Sequence, residues 1–313
     1  MLDETRPAPV ETVRSDTLRN DSWLTAWAVE IPRALSGIAK ALQGGRLTDP
    51  ILHRSRRDLK RLRSLLRLAP RSSFGLAEQT RNVTGELRRR LGHTRDATVM
   101  QKTLRVLADE LGETAARIKP VLSAHHRIVS GALHRSSRRG DRDRIMRLQS
   151  LWRGRSCRGD VSDLHLQAVR TYARARRRAA KLGHGEIAAL HPLRKACVDH
   201  QNHLDFFAKR PDGKIAARHD TVKKLRDQLG LCNDLEVLRD FVRTRADISA
   251  GDLIKLEEVL AKHHRRLVAK AVKLSGKLFD GKPRIFGKWL KREIEKSEAD
   301  AARPEARSAT ETA

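Results

Sequence analysis

The sequence predicts an all-α protein, and three observations carry that expectation. Aromatic residues make up only 4% of the 313 residues while Ala, Leu, Arg and Lys dominate, a composition that favours helices over sheets. Apolar residues recur at three- and four-residue spacing, and no stretch reads as a convincing strand. Segments of the first half reappear in the second at one fixed offset, so the chain reads as two copies of a helical unit.

Residues 1–20 are polar, carry two prolines and lack periodicity, which predicts a disordered arm. A first helix starts at Asp21 or Ser22, both good N-caps, and carries Trp23, Leu24, Trp27, Leu35, Ile38 and Leu42. Pro32 should kink or split it, and Gly44-Gly45 should end it. Asp49 then caps a second helix with Pro50 at its first position. Pro70 to Ser73 break that helix, and a third runs from about Phe74 to Leu91. Gly92 interrupts it before an apolar-periodic stretch through Val99, Met100, Leu104 and Leu107. Further helix covers Glu113 to Leu133 apart from Pro120, completing a first bundle over 21–133.

Residues 134–162 are rich in Arg, Gly and Ser and read as a connector, with one short helix around Ile145, Met146, Leu148 and Leu151. A second bundle follows over 163–296. It has helices from Leu164 to Leu182, from Leu190, from Arg218 to Leu229, onward to Arg245 after a break at Gly230 and Asn233-Asp234, from Asp252 to Leu274, and from Pro283 to Lys296. A loop is expected at Arg210-Pro-Asp-Gly, and residues 297–313 read as a disordered tail.

The net charge is +28, which calls for an anionic partner: nucleic acid, an acidic surface or a polyphosphorylated polymer. Cys157, Cys197 and Cys232 form neither a disulfide framework nor a C-x-x-C pair, so a reducing, cytoplasmic setting is expected. No basic start with an apolar run marks a signal peptide, and no uncharged apolar window is long enough to span a membrane.

The charge is concentrated on Leu52 to Leu68. With Leu52 at zero on a helical wheel, Leu59, Leu62 and Leu66 fall between about 280° and 340°. His53, Arg56, Lys60, Arg63 and Arg67 fall between about 20° and 100°, with Arg57 beside Arg56 in sequence. Stacked like charges destabilise an isolated helix, and Asp58 is the only carboxylate there to relieve them. Either this face is solvated or a polyanion lies along it. Arg170, Arg174, Arg177 and Lys181 form a second stripe, about 60° wide.

A shift of 138 residues places His53 on His191, Arg56 on Arg194 and Arg57 on Lys195. It also places Arg88 on Arg226, Leu91-Gly92 on Leu229-Gly230, Asp96 on Asp234, and His125-His126-Arg127 on His263-His264-Arg265. Two similar four-helix bundles should pack about a pseudo-twofold axis, with equivalent faces opposed across a cleft. The copies are unequal: Lys60, Arg63 and Arg67 become Val198, Gln201 and Asp205. The shared basic surface should therefore draw mainly on the second helix of the first copy and the first helix of the second.

These residues resemble a known family. Leu52-His-x-x-Arg-Arg-x-x-Lys-Arg-x-Arg resembles the first signature of the CHAD domain, the conserved histidine α-helical domain, and Leu190-His-x-x-Arg-Lys its second. Leu91-Gly-His-Thr-Arg-Asp and Leu229-Gly-Leu-Cys-Asn-Asp resemble its paired turns. Thr171-Tyr-Ala-Arg-Ala-Arg-Arg-Arg resembles its basic helix, and Lys277-Leu-Phe-Asp-Gly-Lys-Pro its late turn. The resemblance spans roughly residues 20–295. It implies two four-helix bundles around a basic groove or pore, binding of inorganic polyphosphate, and association with polyphosphate granules. Its site carries over to His53, Arg56, Arg57, Lys60, Arg63, His191, Arg194 and Lys195. Val198 departs from the usual basic residue. Members of that family are often fused to a CYTH-type triphosphatase, and none is expected in this sequence, since Glu293-Ile-Glu-Lys lacks the E-x-E-x-K spacing.

Polyphosphate suits these residue types, because guanidinium forks hold two oxygens at once and histidine adds a donor that can charge near phosphate. Cys197, His200, His203 and Cys232 could in principle hold zinc, but the two histidines project to the apolar side, so buried structural roles are expected and no metal. Catalysis is not expected. Glycine-rich phosphate loops, H-E-x-x-H and G-x-S-x-G are absent, no cofactor motif is present, and carboxylates are scarce beside the stripes. Asp96 and Asp234 read as helix caps. The rival readings are a non-specific or weak nucleic-acid binder, and a phosphohydrolase acting on polyphosphate.

Overall fold

The computed structural model describes residues 12–43, 48–135, 139–155, 161–208, 213–245 and 247–310. Among these there are helices and no strand. Gly44-Gly45, Cys157 and residues 210–212 of the expected loop lie outside the described residues, as do 1–11 and 311–313.

The helix α1 (Thr12–Gln43) starts before Asp21 and runs through Pro32 without a break. Trp23, Trp27, Ile31, Leu35 and Ile38 recur at helical spacing and are buried, so one continuous apolar stripe outweighs the single backbone donor that Pro32 lacks. α2 (Asp49–Leu65) has Thr48, not Asp49, as N-cap, and Pro50 lies in its first turn. Its apolar face is buried as the wheel requires: Leu52, Leu59, Leu62 and Leu66 are all 3% exposed or less.

α3 (Phe74–Arg90) and α4 (Gly92–Val106) meet at Leu91, the expected break. The four-residue α5 (Ala108–Leu111) leads into α6 (Glu113–Arg135), which is continuous through Pro120. α7 (Arg139–Arg153) occupies most of the segment expected as a connector, yet it is packed against α1. Its Ile145, Leu148 and Trp152 are buried, the Trp152 ring meets Trp27 edge-on at 5.6 Å, and its Nε1 donates to Thr80 Oγ1 at 2.9 Å.

The second half begins with α8 (Val161–Gly183) and α9 (Leu190–Phe207). α10 (Lys214–Arg243) passes through Gly230 and Asn233-Asp234 without the expected break. The helix tolerates Gly230 because a neighbour fills its empty side: a Cβ there would stand 3.6 Å from Arg194 Nε. α11 (Ala250–Phe279) is capped by Ser249, whose hydroxyl accepts from Asp252 N at 3.1 Å. α12 (Pro283–Thr310) packs on α8 and extends into the segment expected to lack structure, as α1 does at the other end over 12–20.

The 138-residue offset recurs in the packing. α2 packs on α9, α4 on α10 and α6 on α11. Ser64 meets Asn202, and Thr114 Oγ1 donates to Asp252 Oδ1 at 2.8 Å, both pairs 138 apart. On either side of Ser64, Arg61 pairs with Asp205 and Arg67 Nε with Asp199 Oδ2 at 2.9 Å. Shifting Arg61 by the offset gives Asp199, and shifting Arg67 gives Asp205, so the two ion pairs are reciprocal. α2 and α9 therefore cross antiparallel.

Candidate anion-binding site

The crossing of α2 and α9 brings two sets of cations together. Around Lys60 stand Arg56, Arg88, Arg95 and Arg194, from α2, α3, α4 and α9. Burial, then these four guanidiniums, push the Lys60 ammonium down to about 8. Arg56 is lowered by burial and by Arg88, Arg95 and Arg194, against the opposing charge of Asp96. Arg194 is lowered chiefly by burial and is opposed by Asp234; its buried Nε has no hydrogen-bond partner among the described residues. Arg226 is also near Arg194, and it donates to Gln201 Oε1 at 2.8 Å and to Asp227.

Arg63 links this set to the next. It is pushed down to about 10 by burial and by Arg88, Arg67 and Arg81, while Asp199 acts the other way. Its Nη1 donates to the Arg81 carbonyl across Gly85, where a Cβ would stand 2.6 Å from that nitrogen. Beyond it lie Arg67, Arg81 and Arg174 around Asp199, with Arg177 beside Arg174. Arg174 is lowered by burial first, and its Nη2 donates to Thr171 Oγ1 at 2.8 Å.

The two signature histidines stand near the starts of their helices, His191 in the first turn of α9 and His53 one turn into α2. His53 is exposed near Arg95, Lys60, Arg57 and Lys102, and burial followed by these charges lowers its pKa. His191 Nδ1 faces Asn233 Oδ1 at 3.0 Å and is likewise lowered, by burial and then Lys195.

Of the residues singled out in sequence, the structure links Arg56, Lys60, Arg63, Arg67, Arg88, Arg174, Arg194 and Arg226 in a continuous series of neighbouring charges, with Arg226 and Arg174 at its two ends. His53 and His191 stand at the rim. Arg57, Arg170, Arg177 and Lys195 are exposed, and Lys181 turns to Glu186 at 3.0 Å. Arg67 is not a free cation, because Asp199 holds it. Carboxylates are also closer than the sequence suggested. Asp96 lies within α4 and Asp234 within α10, so neither caps a helix; both face Arg194. Burial raises the Asp234 carboxyl against the pull of Arg194 and Arg95.

Arg81 and Arg95 were missed in sequence. For Arg81 the signal was there: it lies seven residues before Arg88 on α3, a spacing that nearly repeats helical direction; Arg95 lies on α4, beyond the break at Leu91, and its place depends on how the two helices meet. The role of Asp199 and Asp205 was missed because opposite charges under a repeat look like divergence, not pairing.

The residues weighed for a metal do not share one point. His203 Nε2 faces the Ser64 carbonyl at 2.8 Å, and burial takes its pKa to about 4. His200 is fully buried among Tyr172, Phe279 and Phe286, with neither ring nitrogen hydrogen-bonded among the described residues. Burial pushes the Cys197 thiol up strongly and that of Cys232 to about 11. Among the described residues no three His, Cys, Asp or Glu side chains group as metal ligands.

The fold and the cluster define an all-helical protein that gathers partly buried cations where α2 and α9 cross. A family model of the CHAD domain matches residues 33–243, more than half of the chain, which therefore belongs to the CHAD domain family. None of the curated proteins compared matches it. No described helix is long and apolar enough to cross a membrane.

Proposed function

We propose that the chain binds inorganic polyphosphate without transforming it, and that this binding associates it with cytoplasmic polyphosphate granules. The observation that carries the reading is the crowding of cations around Lys60. Burial and like charge lower its pKa, and that of Arg56 and Arg63, so the unliganded surface is electrostatically costly. A polymer with about one charge per phosphate offsets that cost along the whole track from His53 to Arg174. The guanidiniums supply paired donors, and phosphate contact favours protonation of His53 and His191.

The reading includes the geometry of the groove. The contacts of Ser64 with Asn202 and of Thr114 with Asp252 fit two bundles related by a pseudo-twofold axis through both pairs. α2 then forms the stronger wall, opposed by α8 through Arg174. Filter binding with long-chain polyphosphate tests the function, with dissociation well below micromolar expected. Micromolar or weaker binding, no better than that of random duplex DNA at equal salt, would sink it. Lys60→Ala with Arg63→Ala should weaken binding more than Val198→Ala with Gln201→Ala; equal losses would refute the asymmetric groove.

A nucleic-acid binder would instead show comparable DNA affinity, since phosphate contacts carry no sequence information. A polyphosphate hydrolase has one observation in its favour, the Asp96 and Asp234 carboxylates beside Arg194. Phosphate released from polyphosphate with Mg²⁺ or Mn²⁺ would decide for it.

A further inference from the structure

The helix α11 carries a second cationic surface, separate from the recessed site. Lys255, Lys262, Arg266, Lys270, Lys273 and Lys277 are all exposed. At 100° per residue they fall within about 80° of one another, and from Lys262 to Lys277 they extend about 22 Å. Lys262 pairs with Glu110 at 2.9 Å; among the described residues no carboxylate pairs with Arg266, Lys270, Lys273 or Lys277. A separate face of the helix, centred about 115° from the stripe, is anchored by buried Leu256, Leu260, Leu267, Ala271 and Leu278, which turns the stripe away from the core. The charges that act most strongly on Arg56, Lys60, Arg63, Arg174 and Arg194 all lie outside α11. α11 also lies beyond the segment matched by the family model.

We propose that this stripe binds a second polyphosphate strand, so that one protein bridges two chains. The inference rests on the polyphosphate reading of the recessed site. The length of the stripe suits an extended polyanion and exceeds what a single phosphate could use. Its side chains are mostly lysines, compact hydrated charges without a fixed fork, which suits a disordered polymer more than a shaped ligand. Ala269 and Gly276 on the same exposed arc offer no platform for stacking bases, which favours a polymer without them. Being exposed, this surface should bind more weakly than the recessed site and lose strength sooner with salt.

The test is equilibrium dialysis at low ionic strength with polyphosphate chains too short to span both surfaces. It compares the full chain with the variant carrying Arg266→Gln, Lys270→Gln, Lys273→Gln and Lys277→Gln. The wild type should bind two short chains and the variant one, the tighter class keeping its affinity within about twofold because the sites are independent. With long chains, light scattering should show cross-linking in the wild type, and the variant should need at least about tenfold more protein for the same signal. Retention of two chains by the variant, or a single chain on the wild type, overturns the bridging proposal while leaving the recessed site intact. Binding of short duplex DNA, and not of polyphosphate, at the stripe also overturns it. Absence of the tighter class in the wild type would refute the polyphosphate reading itself.

Discussion

Asn202 Nδ2 donates to Ser64 Oγ at 3.0 Å, and the two residues hold the same position in the two halves of the chain. Ser64 Oγ in turn donates to Asp199 Oδ1 at 2.8 Å, and Asp199 holds Arg67. The crossing of α2 and α9 is thus tied to the electrostatics of the cation cluster through one carboxylate. Asp199 favours the charged forms of Arg63, Arg81 and Arg174 while pairing with Arg67.

Asp199→Asn keeps an oxygen for Ser64 and removes the charge. Polyphosphate affinity should rise about three- to tenfold, since a carboxylate no longer competes with phosphate for Arg67. Filter binding at fixed salt measures this. Unchanged affinity would mean that Arg67 does not reach the polymer.

Lys60→Met should raise stability while lowering affinity. A methionine fills a similar volume without the desolvation and repulsion that take the ammonium down to about 8. After allowance for screening, the gain should be about 1–2 kcal/mol, read as a higher midpoint in urea. Affinity for polyphosphate should fall by roughly tenfold. A variant that is both less stable and equally tight would contradict the assignment of Lys60.

The same ammonium sets a pH dependence. In the free protein, burial and the facing charges of Arg194, Arg56, Arg88 and Arg95 bring its pKa down to about 8, so half of it is deprotonated near pH 8. Bound phosphate favours the charged form, so the pKa in the complex is higher and binding takes up a proton between the two values. Affinity should therefore fall as pH rises through 8, with no contribution from Lys60 below pH 7. His53 and His191, both lowered in the free protein, act in the same direction at acid pH, strengthening binding as they protonate. Titrations from pH 5.5 to pH 9.5 with Lys60→Arg beside the wild type check this; the arginine should flatten the alkaline limb only.

Two glycines separate a functional close approach from a tolerated one. Gly85→Ala would put a Cβ against Arg63 Nη1 and displace the guanidinium from the Arg81 carbonyl, so affinity should drop several-fold. Gly230→Ala meets Arg194 only at ordinary contact distance inside a continuous helix, and should stabilise the fold by about 0.5–1 kcal/mol. Thermal melts and filter binding on both variants distinguish the two effects.

Much of this protein was legible in its sequence. Helical periodicity fixed the apolar faces of α1 and α2, because burial follows spacing along one helix. The 138-residue echo identified Arg56 with Arg194 and Gly92 with Gly230, and the structure gives both glycines the same kind of neighbour: a Cβ at Gly92 would stand 3.2 Å from Arg56 Nη1. Continuity through Pro32, Pro120 and Gly230 was not legible, since tertiary packing outweighs the cost of one lost donor or one glycine. The packing of α7 was hidden by its charge: Ile145, Leu148 and Trp152 make a narrow stripe among arginines, and only α1 beside it shows that the stripe is core. Which cations remain available was decided by the fold alone. Arg67 and Arg63 stand on the same face in sequence, yet the antiparallel crossing delivers Asp199 to Arg67 and leaves Arg63 among arginines. A wheel specifies direction around one helix axis; the partner brought to that direction belongs to the other half of the chain.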